Sequence, residues 1–165
     1  TRSKSKHDFV FMARAGFGFL GRYTKRKGDS PFERFYLGGS GLTGFQLDGR
    51  EIIALRGYDG LSLTPSTGSF FVNKYTAELR FPVSLNPSAT IFATTFVEGA
   101  NAWNDINRYD PFRLYRSAGI GLRLFLPMFG PMGLDYAWRF DDVPNSPNMA
   151  KSQFHFTIGI DLGEL

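Results

Sequence analysis

Apolar and polar residues alternate with a period of two in six separate stretches of the chain. The six stretches begin near Phe9 and lie at about 9–19, 71–83, 89–100, 117–126, 134–140 and 153–162. The last is the most regular, with Phe154 and Phe156 on one side and His155 and Thr157 on the other. Such alternation puts successive side chains on opposite faces of a β-strand. We therefore predict six strands of about ten residues, each with an apolar and a polar face.

The connections between these stretches are alternately long and short. They lie at about 24–70, 86–88, 101–113, 128–131 and 141–151. Outer-membrane barrels have this arrangement, with long external loops, tight periplasmic turns, an apolar face towards lipid and a polar face towards the lumen. The pattern therefore favours an all-β, antiparallel transmembrane β-barrel. The alternative is a soluble β-sandwich, which would bury the phenylalanine faces and whose strands average five or six residues.

Composition narrows the class of protein further. No run of eighteen apolar residues occurs in the 165 residues, which excludes transmembrane helices. The absence of cysteine excludes disulfides and thiolate metal sites. The net charge of +4 comes from scattered basic residues, so we expect no nucleic-acid binding. His7 and His155 are far apart and are interpreted as solvated strand residues, so we expect no catalytic site, metal or cofactor.

The segment from about 24 to 70 contains no convincing strand, yet it is too apolar for a disordered linker. We expect it to fold back onto the polar face of the sheet. Arg56 would then lie in a confined interior, where a guanidinium needs a carboxylate partner. Glu98 is on the polar face of its predicted strand and can supply it. Gly57 lets the tip of the segment turn tightly.

Three segments resemble the BamA-like outer-membrane protein assembly family, the POTRA-barrel insertases and translocases. They are Pro31 to Gly39 with the tip Leu55, Arg56, Gly57 and Tyr58; Phe96 to Trp103; and Gln153 to Gly159. The resemblance implies that residues 1–165 are the last six strands, about one third, of a roughly sixteen-stranded barrel. It also implies that the inward-folding loop at about 24–70 presents its tip to Phe96 and Glu98. Phe154, Phe156 and Gly159 would belong to the final strand, at a weakly paired lateral seam.

The resemblance further implies a function in the bacterial outer membrane. The protein would insert outer-membrane β-barrel proteins by pairing their strands with an opened seam, which needs no enzyme activity. Its partners would be outer-membrane lipid, nascent outer-membrane proteins and periplasmic accessory lipoproteins, and it would carry POTRA repeats and further strands upstream. The alternatives are a relative that translocates polypeptides and a passive solute pore whose lumen charges set ion preference.

Overall fold

The computed structural model describes residues 9–21, 34–39, 51–128, 130–143 and 150–158. The strands in these ranges are β1 (Val10–Phe19), β2 (Phe35–Leu37), β3 (Glu51–Ile53), β4 (Phe71–Asn86), β5 (Ala89–Trp103), β6 (Tyr115–Leu126), β7 (Gly130–Arg139) and β8 (Ser152–Ile158), with a short 3-10 helix at Ile106–Arg108. None of the helical structure in the described ranges is long and apolar enough to cross a membrane.

Six of the strands form one antiparallel sheet in the order β1-β4-β5-β6-β7-β8. β1 pairs with β4, and from β4 to β8 each strand pairs with the next along the chain. The predicted all-β antiparallel architecture is confirmed. Within the described ranges β1 and β8 each have one neighbour in the sheet, so these two strands are its edges.

The predicted strand length of about ten residues is wrong for β4 and β5, which have 16 and 15 residues. Their pairing continues beyond the alternating segment, from Phe71 opposite Trp103 to Asn86 opposite Ala89. The register shifts between Pro82 and Ser84, where proline has no amide hydrogen to contribute to the ladder. The two long strands therefore extend past the apolar band that the pattern detects.

The two faces of the sheet have opposite environments. Its apolar side chains are exposed, including Phe11 at 70% and Phe154 at 65%. Its polar face is buried, and Glu98 is 3% exposed. Among the described residues no second sheet covers the apolar face, because the only other sheet is the β2–β3 pair on the polar side. The soluble-sandwich alternative is therefore wrong.

The described parts of the segment between β1 and β4, residues 34–39 and 51–70, lie over the polar face. The expectation that it contains no strand is wrong, because β2 and β3 pair in parallel. Strands of three residues are too short to show a periodic pattern, and the pair joins distant parts of the segment. An apolar cluster fixes the segment against Val72 of β4 and Ala100 of β5. Its other buried members are Phe35, Leu37, Ile53, Leu55, Tyr58, Leu63 and Val143.

Candidate functional site

The tip of the inward-folding segment places Arg56 among three carboxylates on the polar face of the sheet. Its Nη2 donates to Glu98 Oε1 at 2.6 Å and to Glu78 Oε2 at 3.4 Å, and its Nη1 donates to Asp135 Oδ1 at 3.4 Å. The Arg56 amide donates to the second oxygen of Glu98 at 3.2 Å. Arg56 is 2% exposed. The guanidinium is therefore shielded from water and bound to strands β4, β5 and β7 together.

Each carboxylate has a second cation beside it. Glu78 accepts from Arg80 Nε at 2.7 Å, Asp135 accepts from Arg123 Nη1 at 2.8 Å, and Lys74 Nζ lies 3.9 Å from Glu98. These contacts are unequal, because Glu98 has its short contact with Arg56 and a long one with lysine. Glu98 therefore depends more on Arg56 than the other two acids do.

Two glycines of β6 make room for this cluster. A Cβ atom on Gly121 would contact the Asp135 carboxylate, and one on Gly119 would contact the Phe96 ring. The Phe96 ring lies beneath Arg56, whose guanidinium carbon is 3.4 Å from the ring centroid. A desolvated cation over an aromatic face is stabilised by the ring quadrupole. The ring and the carboxylates thus hold the guanidinium from different sides.

The remaining tip residues fix the backbone around Arg56. Leu55 is fully buried, and its amide donates to the Gly39 carbonyl at 3.0 Å. Gly57 has φ +90°, a conformation that residues with a Cβ rarely adopt. The Tyr58 hydroxyl donates to the Arg116 carbonyl at 2.8 Å. Burial, reinforced by the charge of Asp141, raises the pKa of Tyr58 to about 12.

The Gly57 amide binds the last described strand. It donates to His155 Nε2 at 2.8 Å, and His155 is 4% exposed. The interpretation of His155 as a solvated residue is therefore wrong, because the inward-folding segment covers this part of the polar face. His7 lies outside the described residues.

The structure brings Arg56, Phe96 and Glu98 into contact, with Leu55, Gly57 and Tyr58 around them. Phe154 and Phe156 lie on the opposite, apolar face, 65% and 37% exposed, and Gly159 is outside the described residues. Sequence reasoning missed Glu78, Asp135 and His155 as contacts of the tip. The sequence placed all three on the polar face of a strand, but many other residues share such a position, so it could not single them out.

Comparison with known protein families shows which superfamily the chain belongs to. Residues 2–162 match the Omp85 superfamily domain. The chain belongs to the Omp85 superfamily. None of the curated proteins compared with it matches the chain. Omp85 superfamily proteins are outer-membrane proteins that insert or translocate other proteins, and they are not typical enzymes. Membership agrees with the six-stranded antiparallel sheet and its exposed apolar face.

The charges of the Arg56 cluster are paired with one another. Its acids are neutralised by arginine and lysine, and the described residues contain no group of three or more histidine, cysteine, aspartate or glutamate side chains placed to hold a metal ion. Such a cluster fixes the position of one backbone segment on another. The Arg56 cluster therefore joins the inward-folding segment to the sheet.

Proposed function

We propose that this chain contributes the last six strands of a BamA-like barrel of roughly sixteen strands, which inserts client β-barrel proteins into the bacterial outer membrane. The observation that carries the proposal is the position of β8. It is an edge of the sheet within the described residues, and its polar face is bound to the loop tip through His155. Where such a strand meets the first strand of the barrel at a weakly paired seam, opening of the seam would free its backbone groups for a client strand.

Backbone pairing supplies the driving force in this mechanism. In hydrocarbon each unpaired amide or carbonyl group costs several kcal/mol, so a client strand gains by pairing with an exposed edge. Addition of a strand to a sheet edge needs main-chain hydrogen bonds and no nucleophile. The exposed side chains of β8, Phe154 and Phe156, would face lipid beside the client. Periplasmic accessory lipoproteins and upstream POTRA repeats belong to the same proposal.

The filled interior favours insertion over a passive pore. Arg56, Glu78, Glu98 and Asp135 are each at most 3% exposed, so the loop occupies the space beside the polar face. A solute channel would need its lumen charges in contact with water. Translocation of a polypeptide through the interior would need the loop to leave this space.

Site-specific photo-crosslinking in the full-length protein tests the proposal. A photoreactive residue replaces Phe156 on edge strand β8 in one variant and Ile120 on the interior strand β6 in a matched control. Both side chains are on the apolar face, at 37% and 53% exposure. We expect a nascent outer-membrane protein to crosslink at 156 and not at 120.

Two results would contradict insertion at β8. Equal crosslinking at the two positions would show that clients do not select the edge strand. Crosslinking confined to a photoreactive residue on the polar face, such as Thr94, would favour the translocating alternative.

A further inference from the structure

The hydrogen bond between the loop tip and β8 depends on the protonation state of one imidazole. Gly57 N donates to His155 Nε2 at 2.8 Å, so this ring nitrogen carries no proton. In the neutral ring the proton must then be on Nδ1. Protonation of Nε2 would place two N–H groups against each other and break the bond. Histidine is the side chain whose ordinary pKa, about 6.5, makes this change near neutral pH.

Three carboxylates and one guanidinium act on His155, whose burial disfavours a charged ring while the loop is docked. Asp135 of β7 lies directly opposite it across the strand pair, Glu98 of β5 and Asp59 of the loop add negative charge, and Arg56 opposes them. Asp135 Oδ2 is buried and has no hydrogen-bond partner in the described part of the chain. Directly opposed residues have Cβ atoms about 5 Å apart, within reach of an imidazolium. The charged ring therefore has an acceptor that the neutral, loop-bound ring leaves unused.

We propose that His155 is a pH-sensitive latch, which joins the loop tip to edge strand β8 while the imidazole is neutral and releases it when the ring is protonated. At low pH the ring would turn from the Gly57 amide towards Asp135, and this hydrogen bond between loop and edge strand would be lost. Its value to the protein rests on the proposed function, since a released β8 is freer to separate from the sheet and accept a client strand.

Distance measurements between two spin labels test the latch directly. The labels are attached to cysteines replacing Gly60, beside the loop tip, and Lys151, beside β8, both of which are exposed. The full-length, otherwise cysteine-free protein is measured in phospholipid nanodiscs at pH 8 and pH 5. We expect one short distance at pH 8 and a second, longer population at pH 5. The ratio of docked to released molecules should fall about tenfold, as expected for loss of one buried hydrogen bond.

Two variants separate His155 from other titrating groups. His155→Gln keeps a side-chain acceptor for the Gly57 amide but does not titrate, so its distances should match wild type at pH 8 under both conditions. Asp59→Asn removes one of the other carboxylates near the tip, which accepts from Gln153 at 2.5 Å, and should still show a pH response because His155 is unchanged.

The latch is refuted if the wild-type distances do not change between pH 8 and pH 5. It is equally refuted if His155→Gln responds to pH as wild type does, or if Asp59→Asn abolishes the response. These distances are independent of client insertion. Failure to insert clients with an intact pH response would reject the proposed function and leave the latch in place.

Discussion

Replacing Arg56 with methionine removes the charge that joins the loop to the sheet but keeps an unbranched apolar side chain. Three carboxylates lose this partner, and the consequences differ. Glu78 keeps Arg80 at 2.7 Å and Asp135 keeps Arg123 at 2.8 Å, whereas the cation left beside Glu98 is Lys74 at 3.9 Å. The variant therefore leaves one poorly compensated buried carboxylate rather than three.

The number of carboxylates left without a close cation determines how much the substitution weakens loop docking. Removing one partner of a buried ion pair typically costs 3–5 kcal/mol, and we expect about 3 kcal/mol here because two of the acids stay paired. With each 1.4 kcal/mol worth a factor of ten, the ratio of docked to undocked loop should fall on the order of 100-fold. Hydrogen exchange of a peptide spanning residues 52–60, measured by mass spectrometry in the full-length protein, reports this ratio.

A matched arginine is available as a control. Arg116 pairs with Asp141 at 2.9 Å, but its side chain is 62% exposed. Exposed pairs contribute about 0–1 kcal/mol, so Arg116→Met should change the exchange of the same peptide less than about fivefold. Exchange in Arg56→Met within threefold of wild type, or an equal effect of the two substitutions, would refute the reasoning from burial.

Three further substitutions test the geometry of the tip. Gly57→Ala must place a Cβ at φ +90°, which should cost about 1–3 kcal/mol and deprotect the same peptide, and wild-type exchange in this variant would contradict the strain. Gly119→Val should displace the Phe96 ring, and the overpacking of about 1–3 kcal/mol should lower the thermal unfolding midpoint. Gly99→Ala is the control, because its Cβ meets only a leucine side chain, and this variant should unfold at nearly the wild-type midpoint. The pKa of Tyr58 is raised from 10.0 to about 12, so its contribution to loop docking should be complete below pH 10 and lost as the pH rises through 12. The difference in ultraviolet absorbance between wild type and Tyr58→Phe should therefore titrate with a midpoint near pH 12. A midpoint at pH 10 would contradict the burial of this tyrosine.

The strands and their faces could be predicted because both depend on local alternation. Phe154, His155 and Phe156 take opposite faces for the same stereochemical reason in any strand. The turn between β4 and β5 was also visible, since residues 86–88 interrupt the pattern and the turn lies at 87–88. Contact between Arg56 and Glu98 followed from charge and confinement, once the loop was assumed to fold inward.

The other contacts of the tip depend on strand register, which alternation does not contain. Asp135 lies beside Arg56 because β7 is aligned on β6 with Gly121 opposite Asp135. A shift of one residue would turn Asp135 to the other face. The environment of His155 depends in turn on the path of the covering segment, and the β2–β3 pair that shapes this path is too short to leave a periodic signal.

The buried charges of this sheet add little net stability, and the proposed latch gives them a second role. Desolvation of Arg56 and its three acids costs several kcal/mol per ion, and the attraction among them largely offsets that cost rather than exceeding it. An apolar loop packed on an apolar face would be held more firmly, but its contacts would not respond to pH. Protonation of His155 would remove one acceptor of the loop and add a charge at the same point, while the apolar cluster and the Arg56 contacts stay in place. In the proposed latch, the docking of the loop would therefore change about tenfold between the two protonation states of His155.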